Sequence, residues 1–269
     1  MENGILKGKK GIIFGALNEL SIAWKTALAV HREGAQIVLT NTPVALRFGS
    51  VGELAKLCDA ALIPADATSV ADLEALVDAA LEHFGGKFDF VLHSVGMSPN
   101  IRKRIPYEDL NYDYFDKTLD ISAISFHKLL SVLYKKDALN QGGSVVALTY
   151  LAGDRCVSGY SDMSDAKALL QSICRTFGDI YGRHNGVRVN TISQSPTLTS
   201  AGQGIEGMES MYEYASRMSP LGNADAQDCA DYIVTLFSDY TRKVTMQNLY
   251  HDGGFSSMAC CPEDLKLKV

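Results

Sequence analysis

A doubly wound α/β fold, with a parallel sheet of about seven strands and helices on both faces, is what this sequence predicts. Three observations carry the prediction. Short apolar runs alternate with amphipathic stretches along the whole chain, and strands joined through helices pair in parallel. The strand segments are continuous runs of Val, Ile, Leu and Phe rather than strict alternations, as burial on both faces requires. The chain has 269 residues, 46% hydrophobic and 21% charged, enough for one large domain with a sizeable core. No linker, repeat or low-complexity tract interrupts it, so 1–269 reads as a single domain.

Taken in order, Gly11-Ile12-Ile13-Phe14 is the first buried strand, and Ile22 to Arg32 a helix closed by Glu33-Gly34. Gln36 to Thr40 is the second strand, Gly52 to Asp59 a helix, and Ala61 to Pro64 a short third strand. Ser69 to Phe84 places Val70, Leu73, Leu76, Val77, Ala80 and Leu81 on one helical face. Phe88 to His93 is the fourth strand, Tyr112 to Lys136 a long helix, and Ser144 to Thr149 the fifth strand. A second long helix covers Tyr160 to Tyr181, and Val187 to Ile192 is the sixth strand. After an irregular stretch come a helix from Ala226 to Phe237 and a seventh strand, Gln247 to Tyr250.

The net charge of −6 leaves no electrostatic footprint for nucleic acid, and no basic run suggests an anionic membrane surface. No apolar stretch is long enough to span a bilayer, and the N-terminus lacks the apolar core of a secretory signal. Cys58, Cys156, Cys174, Cys229, Cys260 and Cys261 are scattered, so reduced thiols and a cytoplasmic location are expected. The six histidines show no metal-ligand spacing, and no metal is expected.

Ligands of such sheets bind beyond the carboxyl ends of the strands. After the first strand, Gly15 lets backbone approach a phosphate, and the helix that follows offers free N–H groups. GxGxxG is absent, and a simple N-cap at Ser21 is an equally complete reading. The second strand ends in Thr40-Asn41-Thr42 without the acid that would hold an adenosine ribose. Arg47 is either a solvated side chain or a partner for a 2′-phosphate. Asp66-Ala67 follows the third strand and His93-Ser94-Val95-Gly96 ends the fourth, both open to a dinucleotide or to a purely structural role. Tyr160 and Lys167 are separated by about 700° of helical rotation, close to two full turns, and so share a helix face. An ammonium beside a phenol lowers its pKa and readies it to donate to an oxyanion. The alternative is a packed tyrosine beside a surface lysine. Tyr150 stands one residue past the fifth strand, at the ligand-binding edge.

With these residues the chain resembles the Rossmann-like short-chain dehydrogenases/reductases, and within them the bacterial NADH-dependent enoyl-acyl-carrier-protein reductases of fatty-acid synthesis. The marks are Leu20-Ser21-Ile22-Ala23, His31-Arg32-Glu33-Gly34-Ala35, His93-Ser94-Val95-Gly96, Asp120-Ile121-Ser122, Tyr150-Leu151, the Tyr160/Lys167 pair, Gly186-Val187-Arg188-Val189-Asn190 and Asp252-Gly253-Gly254-Phe255. The six residues between tyrosine and lysine discriminate: ordinary members have three, and a serine thirteen residues before the tyrosine. Those positions hold Ser164 and Ala147 here.

The resemblance implies Tyr160 as donor to the thioester oxygen, Lys167 on the nicotinamide ribose and Tyr150 as an assisting group. It carries over Gly15, Ser21, Ile22, Asp66, Ala67, Ser94, Val95, Gly96, Thr197 and Thr199 as cofactor contacts. Met97, Met163, Met208 and Met211 join the two tyrosines as substrate contacts. Thr197 stands where the family often has isoleucine. The cofactor implied is NADH rather than NADPH, the partner acyl carrier protein, and the assembly a homotetramer. Residues 194–218, with Gly202, Gly204 and Gly207 and helically spaced Ile205, Met208, Met211 and Tyr212, are expected to form a mobile lid over the acyl chain. Two rivals remain: a 3-ketoacyl or other carbonyl reductase, against which Ala147 and Ser164 argue, and a non-catalytic dinucleotide-binding protein, which has no need of Tyr150, Tyr160 and Lys167 together.

Overall fold

The structure, a computed structural model, describes residues 4–199 and 208–262, with Met208 seen only as the start of a helix. Seven parallel strands form one sheet: β1 Lys10–Phe14, β2 Gln36–Thr40, β3 Ala61–Leu62, β4 Phe88–His93, β5 Leu139–Thr149, β6 Arg188–Gln194 and β7 Asn248–His251. Their order is β3-β2-β1-β4-β5-β6-β7. Strand order reverses between β1 and β4, which opens a crevice at their carboxyl ends. The connections are helical: α1 Ile22–Arg32, α2 Pro43–Phe48, α3 Val51–Leu57, α4 Val70–Phe84, α5 Pro99–Arg102, α6 Tyr112–Leu119, α7 Ser125–Lys135, α8 Met163–Asn185, α9 Met208–Met218 and α10 Ala226–Phe237. Among the described residues no helix is long and apolar enough to cross a membrane.

The sheet separates two apolar cores. On one face Ile12, Phe14, Val91 and Val145 pack with Leu76, Phe126, Leu130 and Leu170. On the other Ile13, Leu39, Phe90 and Leu92 pack with Val30, Leu54, Ile233 and Phe237. A third, smaller cluster stands apart at the carboxyl edge and contains Ile101, Tyr150, Leu151, Tyr160, Met163 and Ala166.

The doubly wound fold is as the sequence predicts, and α1, β2, β4 and α10 fall on their expected bounds. Other elements differ: β5 starts at Leu139 rather than Ser144, and α3, β6 and β7 are shifted by one or two residues. The long helix expected from Tyr112 to Lys136 contains a π-helical segment, Asp120–Ile124. The wider turn sets Ser122 against the loop after β4, where its Oγ accepts from Met97 N (3.0 Å) and donates to Met97 O (3.2 Å); such segments gather at functional sites. β3 spans two residues rather than four, although beyond it Ile63 N and Ala65 N still donate to Leu39 O and Asn41 O, each at 3.0 Å. The helix expected over Tyr160–Tyr181 begins only at Met163 and runs on to Asn185. Gly159 (φ 79°) and Ser161 (φ 47°) are left-handed, and a right-handed helix cannot pass through them. Two short helices not expected from the sequence, α2 and α5, start at Pro43 and Pro99, each preceded by a capping hydroxyl, Thr42 or Ser98. The Thr-Pro and Ser-Pro pairs are the signals that mark them.

Candidate active site

A cavity of about 590 Å³ lies at the carboxyl edge between β1, β4, β5 and β6, and a second of about 240 Å³ adjoins it beyond β2 and β3. Gly15, Thr42 and Val95 line both. Gly15, Ser21, Ile22, Ser94, Val95, Gly96, Thr197 and Thr199 all line the larger cavity. Asp66 and Ala67 line the smaller one. Arg47 is exposed on the last turn of α2 and is not among the lining residues.

Backbone shapes the first turn. Gly15 has φ 92°, and a Cβ there would stand 1.9 Å from the carbonyl oxygen of Ser94; only glycine joins β1 to α1 in this way. Ser21 occupies the N-cap position of α1 but does not cap it. Its Oγ instead accepts from Leu17 N (3.3 Å) and donates to Asn18 O (2.7 Å). The first turn of α1 also carries no acidic residue, so its N–H groups face the cavity without a side-chain acceptor, a ready site for a pyrophosphate. Asp66 is partly engaged already, its Oδ1 accepting from Thr68 N (2.8 Å) and Thr68 Oγ1 (2.7 Å).

Side chains shape the other half. Lys167 leaves α8 buried and donates to Leu148 O at 2.9 Å, at the end of β5. Burial pulls its ammonium from the ordinary 10.5 down to about 8. A methyl at Gly96 would sit 3.7 Å from Lys167 Nζ, in space that the glycine leaves free in front of the amine. Beneath lies His93, fully buried, its Nε2 2.9 Å from Ser125 Oγ. Burial and the charge of Lys167 push its pKa to about 3, so it stays neutral.

Tyr160 and Tyr150 face each other with ring centroids 5.0 Å apart and a tilt of 52°. Tyr160 reaches the cavity from the loop before α8, not from a shared helix face with Lys167, and that expectation is corrected. The expected lowering of its pKa is corrected too: burial first, then Tyr150, raises the phenol above its ordinary value. Tyr150 is raised by burial and then by Asp252. Both are neutral donors at physiological pH, the form that stabilises an oxyanion by hydrogen bonding. Tyr150 Oη donates to Met211 Sδ at 3.5 Å. Met97, Met163 and Met211 line the cavity. The side chain of Met208 lies outside the described residues, as do Gly202, Gly204, Ile205 and Gly207 of the expected lid.

Sequence reasoning missed Leu148, whose carbonyl holds Lys167, and Ile101 and Ser98 on the cavity wall. Leu148 was findable as a residue at the carboxyl end of β5. The wall residues carry only the Ser-Pro signal of α5.

Two adjoining cavities carry Asp66 in the smaller and, in the larger, the neutral Tyr160 phenol and the Lys167 amine. Together with the doubly wound sheet this defines a nicotinamide-dependent reductase of the short-chain class. The family model described as enoyl-(acyl carrier protein) reductase matches residues 15–256, and the chain belongs to that family. It is 33% identical over 255 residues to the NADH-dependent enoyl-acyl-carrier-protein reductase 2 of Rhizobium meliloti, covering 94% of each chain. It is 32% identical over 266 residues to the NADH-dependent enoyl-acyl-carrier-protein reductase FabI of Salmonella typhimurium, covering 98% of this chain and all of that one. Among solved structures, the FabI–NADH complex of Alistipes finegoldii superposes with a TM-score of 0.96 at 64% identity, covering 98% of this chain and 94% of that one.

Proposed function

We propose that this chain reduces the double bond of trans-2-enoyl thioesters carried on acyl carrier protein, with NADH as the reductant and Tyr160 as the oxyanion donor. The observation that carries the reading is the buried, neutral Tyr160 phenol in the same cavity wall as Lys167, next to an uncapped helix N-terminus. Gly15, Ser21, Ile22, Ser94, Val95, Gly96, Thr197 and Thr199 would hold the dinucleotide, with Asp66 and Ala67 at its adenine end and Lys167 on the nicotinamide ribose. When bound, the reduced nicotinamide supplies hydride to the β-carbon of the substrate.

As the double bond is reduced, negative charge moves to the thioester oxygen. Tyr160 donates to that oxygen, and one such donor typically contributes about 2.7–4 kcal/mol. Lys167, anchored on Leu148 O, adds positive potential from below, and neutral His93 adds no competing charge. Tyr150 and Met211 close the wall on the acyl side. Protonation at the α-carbon completes the cycle.

In this reading the lid expected over 194–218 includes the described residues 194–199 and 208–218. Met208–Met218 is helical, with Ala215 and Met218 buried and Tyr214 packed edge-on against Phe255 at 6.0 Å. A cytoplasmic homotetramer completes the proposal, and light scattering on the purified protein tests its size. The deciding assay follows NADH absorbance with crotonyl thioester, then with acetoacetyl thioester. Turnover of the first and not the second is expected; the reverse establishes the carbonyl reductase, and no turnover of either supports a non-catalytic binder.

A further inference from the structure

We propose that Asp162 is a positioning residue for the reduction: its buried carboxylate, tied to Ser98, Asn100 and Thr118, holds the Tyr160 phenol in place against the acyl-side wall. The inference rests on Tyr160 being the oxyanion donor.

Asp162 lies two residues beyond Tyr160, at the N-cap position of α8, with no exposed surface. An aspartate there ordinarily accepts from the first-turn N–H groups of its own helix. This one does not. Its Oδ1 accepts from Ser98 Oγ at 2.7 Å, and its Oδ2 from Asn100 Nδ2 and Thr118 Oγ1, both at 2.8 Å. The donors are neutral and come from two other elements, α6 and the start of α5. Two of the donors are themselves braced, while the Thr118 hydroxyl also lies 2.9 Å from Tyr114 O and shares its one hydrogen between the two acceptors. Ser98 Oγ accepts from Ile101 N (3.0 Å), and Asn100 Oδ1 accepts from Asn111 N (3.2 Å).

One end of this cluster is the cavity wall, since Ser98 and Ile101 line it; the other is the loop that carries Tyr160. Between Tyr160 and Asp162 stands Ser161, a non-glycine residue at φ 47°. Such a conformation persists where its surroundings over-determine it, and the three hydrogen bonds one residue later supply that constraint. For stability alone, apolar residues of the same shape in place of the carboxylate and all three donors together serve nearly as well. What the carboxylate adds is a fixed distance between the α5 wall and the phenol. Reactions of positioned groups are sensitive to displacements of this kind, with about a hundredfold loss for about 1 Å.

The test compares Asp162→Ala, Asp162→Asn and Thr118→Val with Tyr160→Phe and with the double variant Asp162→Ala/Tyr160→Phe. The measurements are kcat, KM for crotonyl thioester, NADH affinity by fluorescence, and Tm. Asp162→Ala should lower kcat about 10–100-fold with NADH affinity little changed. Asp162→Asn should recover much of that loss, because its amide can donate to Ser98 Oγ while its oxygen keeps the other two bonds. Thr118→Val removes one donor of three and should fall between wild type and Asp162→Ala; it keeps the test alive if the alanine variant does not fold. In the Tyr160→Phe background, Asp162→Ala should cost little more. Full turnover in Asp162→Ala and Thr118→Val, a loss that adds in full to that of Tyr160→Phe, or a loss of Tm with unchanged kcat overturns the positioning role. Full turnover in Tyr160→Phe itself overturns the assignment of Tyr160, a separate result.

Discussion

The turns after β1 and after β5 border the same cavity and are held in opposite ways. The first is held mainly at its backbone. Gly15 N donates to Thr40 O (3.2 Å), Ala16 O accepts from Asn41 Nδ2 (2.9 Å), and a Cβ added to Gly15 would stand 1.9 Å from Ser94 O. The second is a side-chain construction, in which Tyr150, Tyr160, Asp162 and Lys167 each take their place through their functional groups or rings. Adding atoms is therefore what damages the first turn, and removing them is what damages the second.

The largest expected effect comes from deleting one oxygen in the second turn. Tyr160→Phe should lower kcat by about 10²–10³ while leaving NADH affinity nearly unchanged, as steady-state kinetics with separate fluorescence titration will show. A comparable loss of affinity would mean that this turn also binds the dinucleotide. Gly15→Ala should do the converse. Its Cβ collides with Ser94 O, and forcing the left-handed backbone costs about 1–3 kcal/mol, seen as a lowered Tm and weakened NADH binding with kcat preserved at saturating cofactor. Normal binding in that variant would remove the basis of the comparison.

Lys167 sharpens it through pH. Its proton leaves at about 8 in the folded chain, against an ordinary value of 10.5. Between those values the unfolded chain holds more protons at this site, so the contribution of Lys167 to the stability of the free protein rises with pH across that window, and below it the cost of burying the ammonium is fully present. The buried thiols of Cys58, Cys174 and Cys229, raised by burial, act with the opposite sign, so Lys167→Met should make Tm fall more steeply above about pH 8 than it does in wild type. NADH binding depends on Lys167 in the other direction, weakening above about pH 8 in wild type as the charge is lost; Lys167→Arg should flatten that dependence. A wild-type affinity constant from pH 7 to 10 contradicts a role for the charge. The smallest effect is expected of Ser21→Ala, which removes two neutral hydrogen bonds worth about 0.5–1.5 kcal/mol each but no cap. A hundredfold loss of NADH affinity there would show that the first turn also acts through a side chain.

The same contrast governs what is legible in the sequence. The strand-and-helix alternation gives the sheet, because buried parallel strands need apolar runs and each crossover needs a helix. Gly15 is legible as the glycine that ends β1, and Lys167 by the six-residue interval that marks the family resemblance rather than by a shared helix face. The path of Tyr160 into the cavity is not, because Ser161 carries no compositional sign that it turns left-handed, and a periodic pattern runs through it unbroken. Nor is the rise in the phenol's pKa, since it comes from burial and then from Tyr150, both set by the tertiary fold. Asp162 falls inside the helix expected from Tyr160 to Tyr181; that its carboxylate serves Asn100 and Thr118 depends on contacts between residues 44 and 62 positions apart.

The third apolar cluster has a consequence of its own. Ile101, Tyr150, Tyr160 and Met163 pack with one another at the rim and belong to neither core on the faces of the sheet. Loosening this cluster leaves the strands and their two cores intact, so the free energy of breathing at the rim is set locally and is far smaller than that of global unfolding. A greasy substrate can thus enter through transient parting of the rim, at the cost of rim contacts and of the three hydrogen bonds on Asp162 but not of the sheet. Amides of residues 98–102 and 150–163 should exchange with solvent through openings that do not involve the sheet, while those of β4 and β5 exchange only when the molecule unfolds.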